Sequence, residues 1–293
     1  MNTPLVTVII VAGTNRKKEL VRCLKTLYDS TYKNIEVVLV DNSESPKLVP
    51  FVLQRFPDVL CIRMPENTGI FGYNVGFAHA QGTYCLILDD DCTVQRDSIM
   101  NAVRAFESKP TDVAVLTAKI YNPVIKSFQT QLYTDRGYVD IPLFSGASIF
   151  RTDVLRKVGY FDASFFCWQH ELDLSLRILA AGYKIQYEET CVIIHPKGVE
   201  FRPMLHYYIS RNETWLAVKH FSFPYLELLL LKNLVVVMLL PFKYKNMKAL
   251  WHGVHGYIDG CISIGPALKK RKVLPQHIQR RFFRFHVLGT NES

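Results

Sequence analysis

Tyr84-Cys85-Leu86-Ile87-Leu88-Asp89-Asp90-Asp91 is an apolar run that stops abruptly on three adjacent carboxylates. Its apolar part reads as a strand, and the acids stand where that strand ends. Neighbouring carboxylates repel one another unless a cation neutralises them or some are protonated. A divalent metal removes the conflict, and oxygen ligands of this kind suit Mg²⁺ or Mn²⁺. An exposed acidic turn or a helix N-cap is the other reading of the same three residues.

Upstream, residues 5–11 form a β-branched run without alternation, as a strand covered on both sheet faces requires. Residues 17–28 follow with Leu20, Leu24 and Leu27 at helical spacing. A strand at 35–40 ends on Asp41-Asn42-Ser43, and a helix at 48–56 leads to a third strand at 59–62. Next comes Asn67-Thr68-Gly69-Ile70-Phe71-Gly72-Tyr73-Asn74-Val75-Gly76, a glycine-rich turn into a helix. The alternation of strand and helix predicts a parallel α/β sheet. Ligands bind beyond the carboxyl ends of such strands, so Asp41, the glycine-rich loop and the aspartates would share one crevice.

Downstream the pattern loosens. Residues 121–141 carry strand-like fragments suited to the antiparallel part of a mixed sheet, and Ser145-Gly146-Ala147 leads another strand. Short helices are expected at 153–158 and 171–181, the second closed by Gly182, and a strand at 191–194 ends on His195. Asp173 and Arg177 have the i, i+4 spacing of a surface or partly buried ion pair. No Gly-x-Gly-x-x-Gly follows the first strand, which argues against a nicotinamide-dependent oxidoreductase.

With 49% hydrophobic residues in 293, the chain can bury a large core. The seven cysteines have no Cys-x-x-Cys pair or metal-ligand spacing, which fits reduced thiols in the cytoplasm. Met1-Asn2-Thr3-Pro4 lacks the basic start of a secretory signal. The formal net charge is +9, and Lys269, Lys270, Arg271, Lys272, Arg280, Arg281 and Arg284 crowd the C-terminus. Phe282, Phe283, Phe285, Val287 and Leu288 lie among them, so a lipid headgroup layer is the expected anionic surface, rather than nucleic acid.

Taken together, 6–11, 37–42, 67–76 and 86–91 resemble the family-2 glycosyltransferases of the GT-A fold. Phe144-Ser145-Gly146-Ala147-Ser148, Val158-Gly159-Tyr160-Phe161-Asp162, Glu171-Leu172-Asp173-Leu174-Ser175-Leu176-Arg177, Ala181-Gly182-Tyr183 and Ile194-His195-Pro196 extend the likeness. It spans about residues 5–220 and is strongest toward bacterial rhamnosyltransferase-like members.

The resemblance implies a mixed, mostly parallel sheet flanked by helices, and an inverting, metal-dependent sugar transfer from a nucleotide diphosphate to a hydroxyl. Asp41, Asn67, Gly69, Asn74, Asp89 and Asp90 would then bind the donor. Asp89, Asp91 and His195 would hold Mg²⁺ or Mn²⁺. An inverting transfer needs a base opposite the leaving group, and Glu171 matches the family's basic carboxylate, with Asp173 in reserve. Trp168, His170 and Arg211 would serve the acceptor or assist. His170 stands where many relatives carry a second acid, and Ala12-Gly13-Thr14-Asn15-Arg16 is one residue longer than usual.

Residues 225–242 are nearly all apolar and would make a helix about 27 Å long, marginal against a hydrocarbon core of roughly 30 Å. Glu227 and Lys232 each cost on the order of 3 kcal/mol at mid-bilayer, so an interfacial helix is expected over a full crossing. A core helix packed on the catalytic part is the competing expectation. Residues 1–220 would form the catalytic domain and 221–293 a helical, membrane-associating extension. The donor would be dTDP- or UDP-linked and the acceptor a glycan or a lipid-linked molecule at the inner membrane surface, in cell-surface polysaccharide synthesis. A polyprenyl-phosphate sugar transferase and a non-catalytic nucleotide-sugar-binding protein are the alternatives.

Overall fold

Strand β1 (Val6–Ala12) is covered on both faces, as its unbroken apolar sequence requires. The computed structural model describes residues 3–13, 16–129, 146–196 and 202–288. Thr14, Asn15, Phe144, Ser145 and the fragments expected within 130–141 lie outside the described residues. β1 pairs in parallel with β2 (Ile35–Asp41) on one side and β4 (Tyr84–Asp89) on the other, and β2 pairs in parallel with β3 (Leu60–Arg63). Between them run α1 (Lys17–Tyr28), α2 (Leu48–Leu53) and α3 (Phe71–His79). Leu20, Cys23, Leu24 and Leu27 form the buried stripe of α1. Helix α2 ends earlier than its apolar pattern suggests. The amides of Gln54, Arg55 and Phe56 bond back to Pro50 and Val52 in a closing turn ahead of Pro57.

Past β4 the sheet becomes mixed. β8 (Ala147–Arg151) lies antiparallel between β4 and β6 (Val113–Asn122), and β6 runs parallel to β9 (Lys184–Ile194). The order is β3-β2-β1-β4-β8-β6-β9-β5, with the two-residue β5 (Thr93–Val94) last and β7 (Ser127–Phe128) on β6. β9 is far longer than the strand expected at 191–194. Its polar stretch Glu188-Glu189-Thr190 spans a register shift against β6, and this hides the strand from a hydropathy pattern. β5 (Thr93–Val94) directly follows the aspartates and pairs with β9, Thr93 opposite Ile194. Helices α4 (Ser98–Ser108), α5 (Thr152–Val158) and α6 (His170–Ala180) complete this part. Gly182 ends α6 with φ +84°, and the Tyr183 amide bonds back to Ile178 at 3.2 Å.

The chain divides into two compact units, Met1–Ala163 with Arg177–Gly198, and Ser164–Leu176 with Val199–Ser293. The second contains α7 (Met204–His220), α8 (Tyr225–Tyr244), α9 (Met247–Ile262), α10 (Gly265–Lys269) and α11 (Gln276–Phe283). In this unit the glycines of α9 allow close approach. A Cβ on Gly256 would stand 2.2 Å from the Tyr207 carbonyl oxygen, and one on Gly253 would stand 2.9 Å from Leu240. Gly256→Leu is therefore expected to destabilise the protein by at least the ~1–3 kcal/mol of ordinary overpacking, because the obstacle is backbone. Urea unfolding measures this, and an unchanged midpoint would refute the packing argument.

Asn233 of α8 donates to the Ser210 carbonyl at 2.8 Å and to Thr214 Oγ1 at 3.1 Å, binding α8 to α7 through a buried polar clamp. The C-terminal aromatics differ from expectation. Phe282 and Phe285 are buried, and Phe282 packs against Phe221 with ring centroids 5.0 Å apart, so they belong to this unit's core and not to a lipid layer. Arg271 is likewise structural, since it donates to the carbonyls of Val218 and Phe221.

Candidate active site

The register of β1 with β2 and β4 sets where Asp41 and Asp89 stand. Ala12 is opposite Asp41 and Val11 opposite Asp89, so both aspartates stand at carboxyl strand ends beside β1. Strand order reverses here, between β2 and β4, the place where open α/β sheets bind ligands. Because β5 joins β9, the acidic turn is held against the end of β9. His195 Nε2 lies 3.6 Å from Asp89 Oδ2 and 3.4 Å from Asp91 Oδ1. One ligand atom from each of Asp89, Asp91, Cys92 and His195 falls within 4.8 Å of the others. Gly146 leaves room, since a Cβ there would sit 2.7 Å from Asp89 Oδ2.

Two carboxylates and an imidazole suit a hard or borderline divalent cation such as Mn²⁺ or Mg²⁺. Cys92 contributes less than its position suggests. Burial, reinforced by Asp89, drives its thiol well above the ordinary range, and it donates to the Gly146 carbonyl at 3.5 Å. Asp89 Oδ1 accepts from the Tyr73 hydroxyl at 2.8 Å, which leaves Oδ2 directed at His195.

The three adjacent acids resolve their repulsion differently. Burial raises Asp91, but His195 and Arg16 outweigh it and hold the carboxyl below its ordinary value. Arg16 donates to Asp91 Oδ2 and lies 3.6 Å from Asp90 Oδ1. Burial pushes Asp90 up to about 7, opposed by Arg16 and reinforced by Asp91 and Asp89. The folded protein thus keeps a proton that the unfolded chain releases near 3.8, so stability from this group falls as pH rises between those values. The expected slope is at most about 1.4 kcal/mol per pH unit. Metal-free unfolding of Asp90→Asn should lose less stability than the wild type between pH 5 and 7, and parallel curves would disprove the assignment.

Asp41 is fully buried. It accepts from the Ser43 amide at 2.9 Å, the Ser43 hydroxyl at 2.6 Å and Arg63 Nη1 at 3.0 Å. Asn67 Oδ1 accepts from the Gly69 amide at 3.0 Å, and Gly69 has φ +57°, a conformation that favours glycine. Asn42, which the sequence did not single out, fastens this loop by donating to the Gly69 carbonyl at 2.8 Å and accepting from Thr68 Oγ1 at 3.0 Å. Asn74 is a structural staple, because its amide donates to the Phe161 carbonyl at 2.7 Å and accepts from the Phe161 amide at 3.0 Å.

In the second unit, Glu171 lies in the first turn of α6, behind a loop in which Phe166, Trp168 and Gln169 have φ of 58°, 63° and 62°. Asn212 holds that loop, its amide nitrogen reaching the carbonyls of Phe165, Cys167 and Trp168 at 2.9, 2.6 and 2.9 Å. Arg211 donates to the Phe165 carbonyl at 3.2 Å and lies 4.4 Å from the Trp215 ring, so it supports the loop and is no plain surface cation. His170 Nε2 approaches Glu171 Oε2 to 3.2 Å. Asp173 is completely buried, with Lys219 Nζ at 2.5 Å and His220 Nε2 at 2.7 Å from Oδ1, much deeper than a surface ion pair.

The half-parallel sheet with an acidic turn at its switch point defines the GT-A fold. A family profile described as glycosyl transferase family 2 matches residues 7–168, and the chain belongs to that family. An uncharacterised glycosyltransferase of Haemophilus influenzae is 33% identical over 103 residues, covering 35% of this chain and 35% of its own length. The pre-mycofactocin glycosyltransferase of Mycobacterium tuberculosis is 25% identical over 214 residues, covering 65% of this chain and 44% of its own. The match thus spans less than half the length of these curated relatives. Among solved structures, the mannosyltransferase PcManGT from Pyrobaculum calidifontis, in complex with GDP-Man and Mn²⁺, superposes with a TM-score of 0.62 at 18% identity. That alignment covers 92% of this chain and 74% of the other.

Proposed function

We propose that the chain is an inverting glycosyltransferase that moves a sugar from a dTDP- or UDP-linked donor to a hydroxyl of a glycan or lipid-linked acceptor, in cell-surface polysaccharide synthesis. The observation that carries this reading is the convergence of Asp89, Asp91 and His195 at the sheet's switch point. PcManGT holds Mn²⁺ with its nucleotide sugar, which supports a metal at the corresponding chemistry here. A divalent ion bound there would stabilise the charge that develops on a departing diphosphate. Asp41 would take the nucleobase once the part-exposed Arg63 releases its Oδ2, and the Asn67–Gly69 turn would let backbone approach the donor. Glu171 would remove the acceptor proton. Lys219 and His220 both engage Asp173, which favours Glu171 for that role.

Residues 1–220 would act as the catalytic domain and 221–293 as an extension resting on the cytoplasmic face of the membrane. Helix α8 is long and apolar enough to cross a membrane, with mean hydropathy 1.9. Leu229, Asn233, Val237 and Leu240 are its buried residues, whereas Leu231, Val235, Met238, Leu239 and Phe242 are exposed. Lys232, whose charge weighs against insertion, lies 3.7 Å from Glu213 of α7. A helix lying in the interface with that exposed face toward lipid accounts for all of these.

Screening nucleotide sugars with Mn²⁺ tests the reading. A preferred donor should be hydrolysed or transferred, and at a hundred times its dissociation constant it should stabilise the fold by about 2.7 kcal/mol. Absence of both effects across thymidine-, uridine- and guanosine-linked sugars would refute it.

A further inference from the structure

Between α7 and α9, within the second unit, an open cleft of about 630 Å³ is lined by Met204, Tyr208, Trp251, His255, Ile258 and Ile262, among others. Its volume is that of a small-molecule site. Exposed apolar surface on this scale calls for an occupant: Trp251 is 62% exposed and Ile262 77%. We propose that the cleft binds a single hydrocarbon chain bearing a phosphate head, the lipid carrier of the acceptor; this rests on the transferase reading above.

Three observations select that occupant. The first is continuity with the exposed apolar face of α8. The Tyr244 ring at the end of α8 packs on His206 of α7 at 5.0 Å, and the exposed Phe242 and Met247 connect the outward face of α8 to the start of α9. The second is charge. His252 and His255 line the cleft and offer ring nitrogens to a phosphate head, and burial, with the nearby Lys243 charge adding to it, lowers the His206 imidazole. The carboxylate in the cleft, Asp259, already accepts from the Tyr207 hydroxyl at 2.5 Å. The third is connection to the chemistry. The Tyr208 ring stacks on Phe166 at 5.4 Å, and Phe166 belongs to the strained loop that leads into Glu171. A lipid in the cleft therefore touches the wall of the segment bearing the proposed base.

The test is calorimetric binding of farnesyl phosphate, farnesol and inorganic phosphate to the full chain in nanodiscs. Farnesyl phosphate should bind, farnesol about tenfold more weakly and inorganic phosphate undetectably. Ile258→Trp, which fills the cleft, should weaken farnesyl phosphate at least tenfold. Trp251→Ala, at an exposed position, should weaken it too and serves if the first variant does not fold. His252→Ala with His255→Ala should abolish the preference for phosphate over alcohol. Equal affinities in the wild type and cleft variants, or no binding at all, would overturn the proposal. So would a wild-type dimer in sedimentation that Ile258→Trp dissociates, which would assign the cleft to a second copy. Donor hydrolysis by the wild type, measured separately with Mn²⁺, distinguishes the two readings. Hydrolysis without lipid binding sinks only the cleft, and lipid binding with no donor turned over sinks the transferase.

Discussion

Glu171→Gln is expected to lower kcat for sugar transfer by roughly 10²–10⁴ with little change in donor KM, because a positioned base contributes about that much. The substitution preserves size and polarity while removing the proton acceptor. Its side chain is only part-exposed and stands 3.2 Å from His170 Nε2, so an isosteric amide is retained in the same surroundings. Circular dichroism and thermal melting should match the wild type. Glu171→Asp should recover part of the rate. Wild-type turnover in Glu171→Gln would remove this residue from the mechanism.

Asp91→Ala should reduce transfer by about 10³, equivalent to roughly 4 kcal/mol of transition-state stabilisation. The same change should abolish tight Mn²⁺ binding, read independently by electron paramagnetic resonance of the free ion. Asp91 is well suited to a cation because Arg16 and His195 keep it ionised, while its neighbour Asp90 is held largely neutral at low pH. Chelation by EDTA should reproduce the loss in the wild type, and added Mn²⁺ should restore it there but not in the variant. Undiminished Mn²⁺ affinity in Asp91→Ala would exclude the residue as a ligand.

Local pattern was enough for the parallel half of the sheet. Helix α1 coincides with its expected span 17–28, and β1 and β2 differ from expectation by one residue, because the strands are continuous apolar runs covered over most of their length and α1 buries one regular stripe. Legibility fails where tertiary structure overrides local hydropathy. The two-residue β5 is too short to carry a periodicity, yet it brings His195 to the aspartates. Arg16 reaches Asp91 across 75 positions, and Tyr73 reaches Asp89 from the glycine-rich helix, contacts without a short-range signature. The family resemblance supplied Asp89, Asp91 and His195 as a group, whereas spacing alone left the aspartates open to a turn or a cap. Asn74 shows the converse: a polar residue in a motif that the resemblance assigns to the donor, whose amide is consumed in holding Phe161.

The Asn212 carboxamide has two hydrogens to share among three backbone acceptors, and it spends both on a segment whose left-handed residues would relax if released. Helix α7 thereby acts as a jig for a carboxylate more than forty positions earlier in the chain. A change at position 212 would therefore be felt at Glu171, although the two side chains sit on different helices.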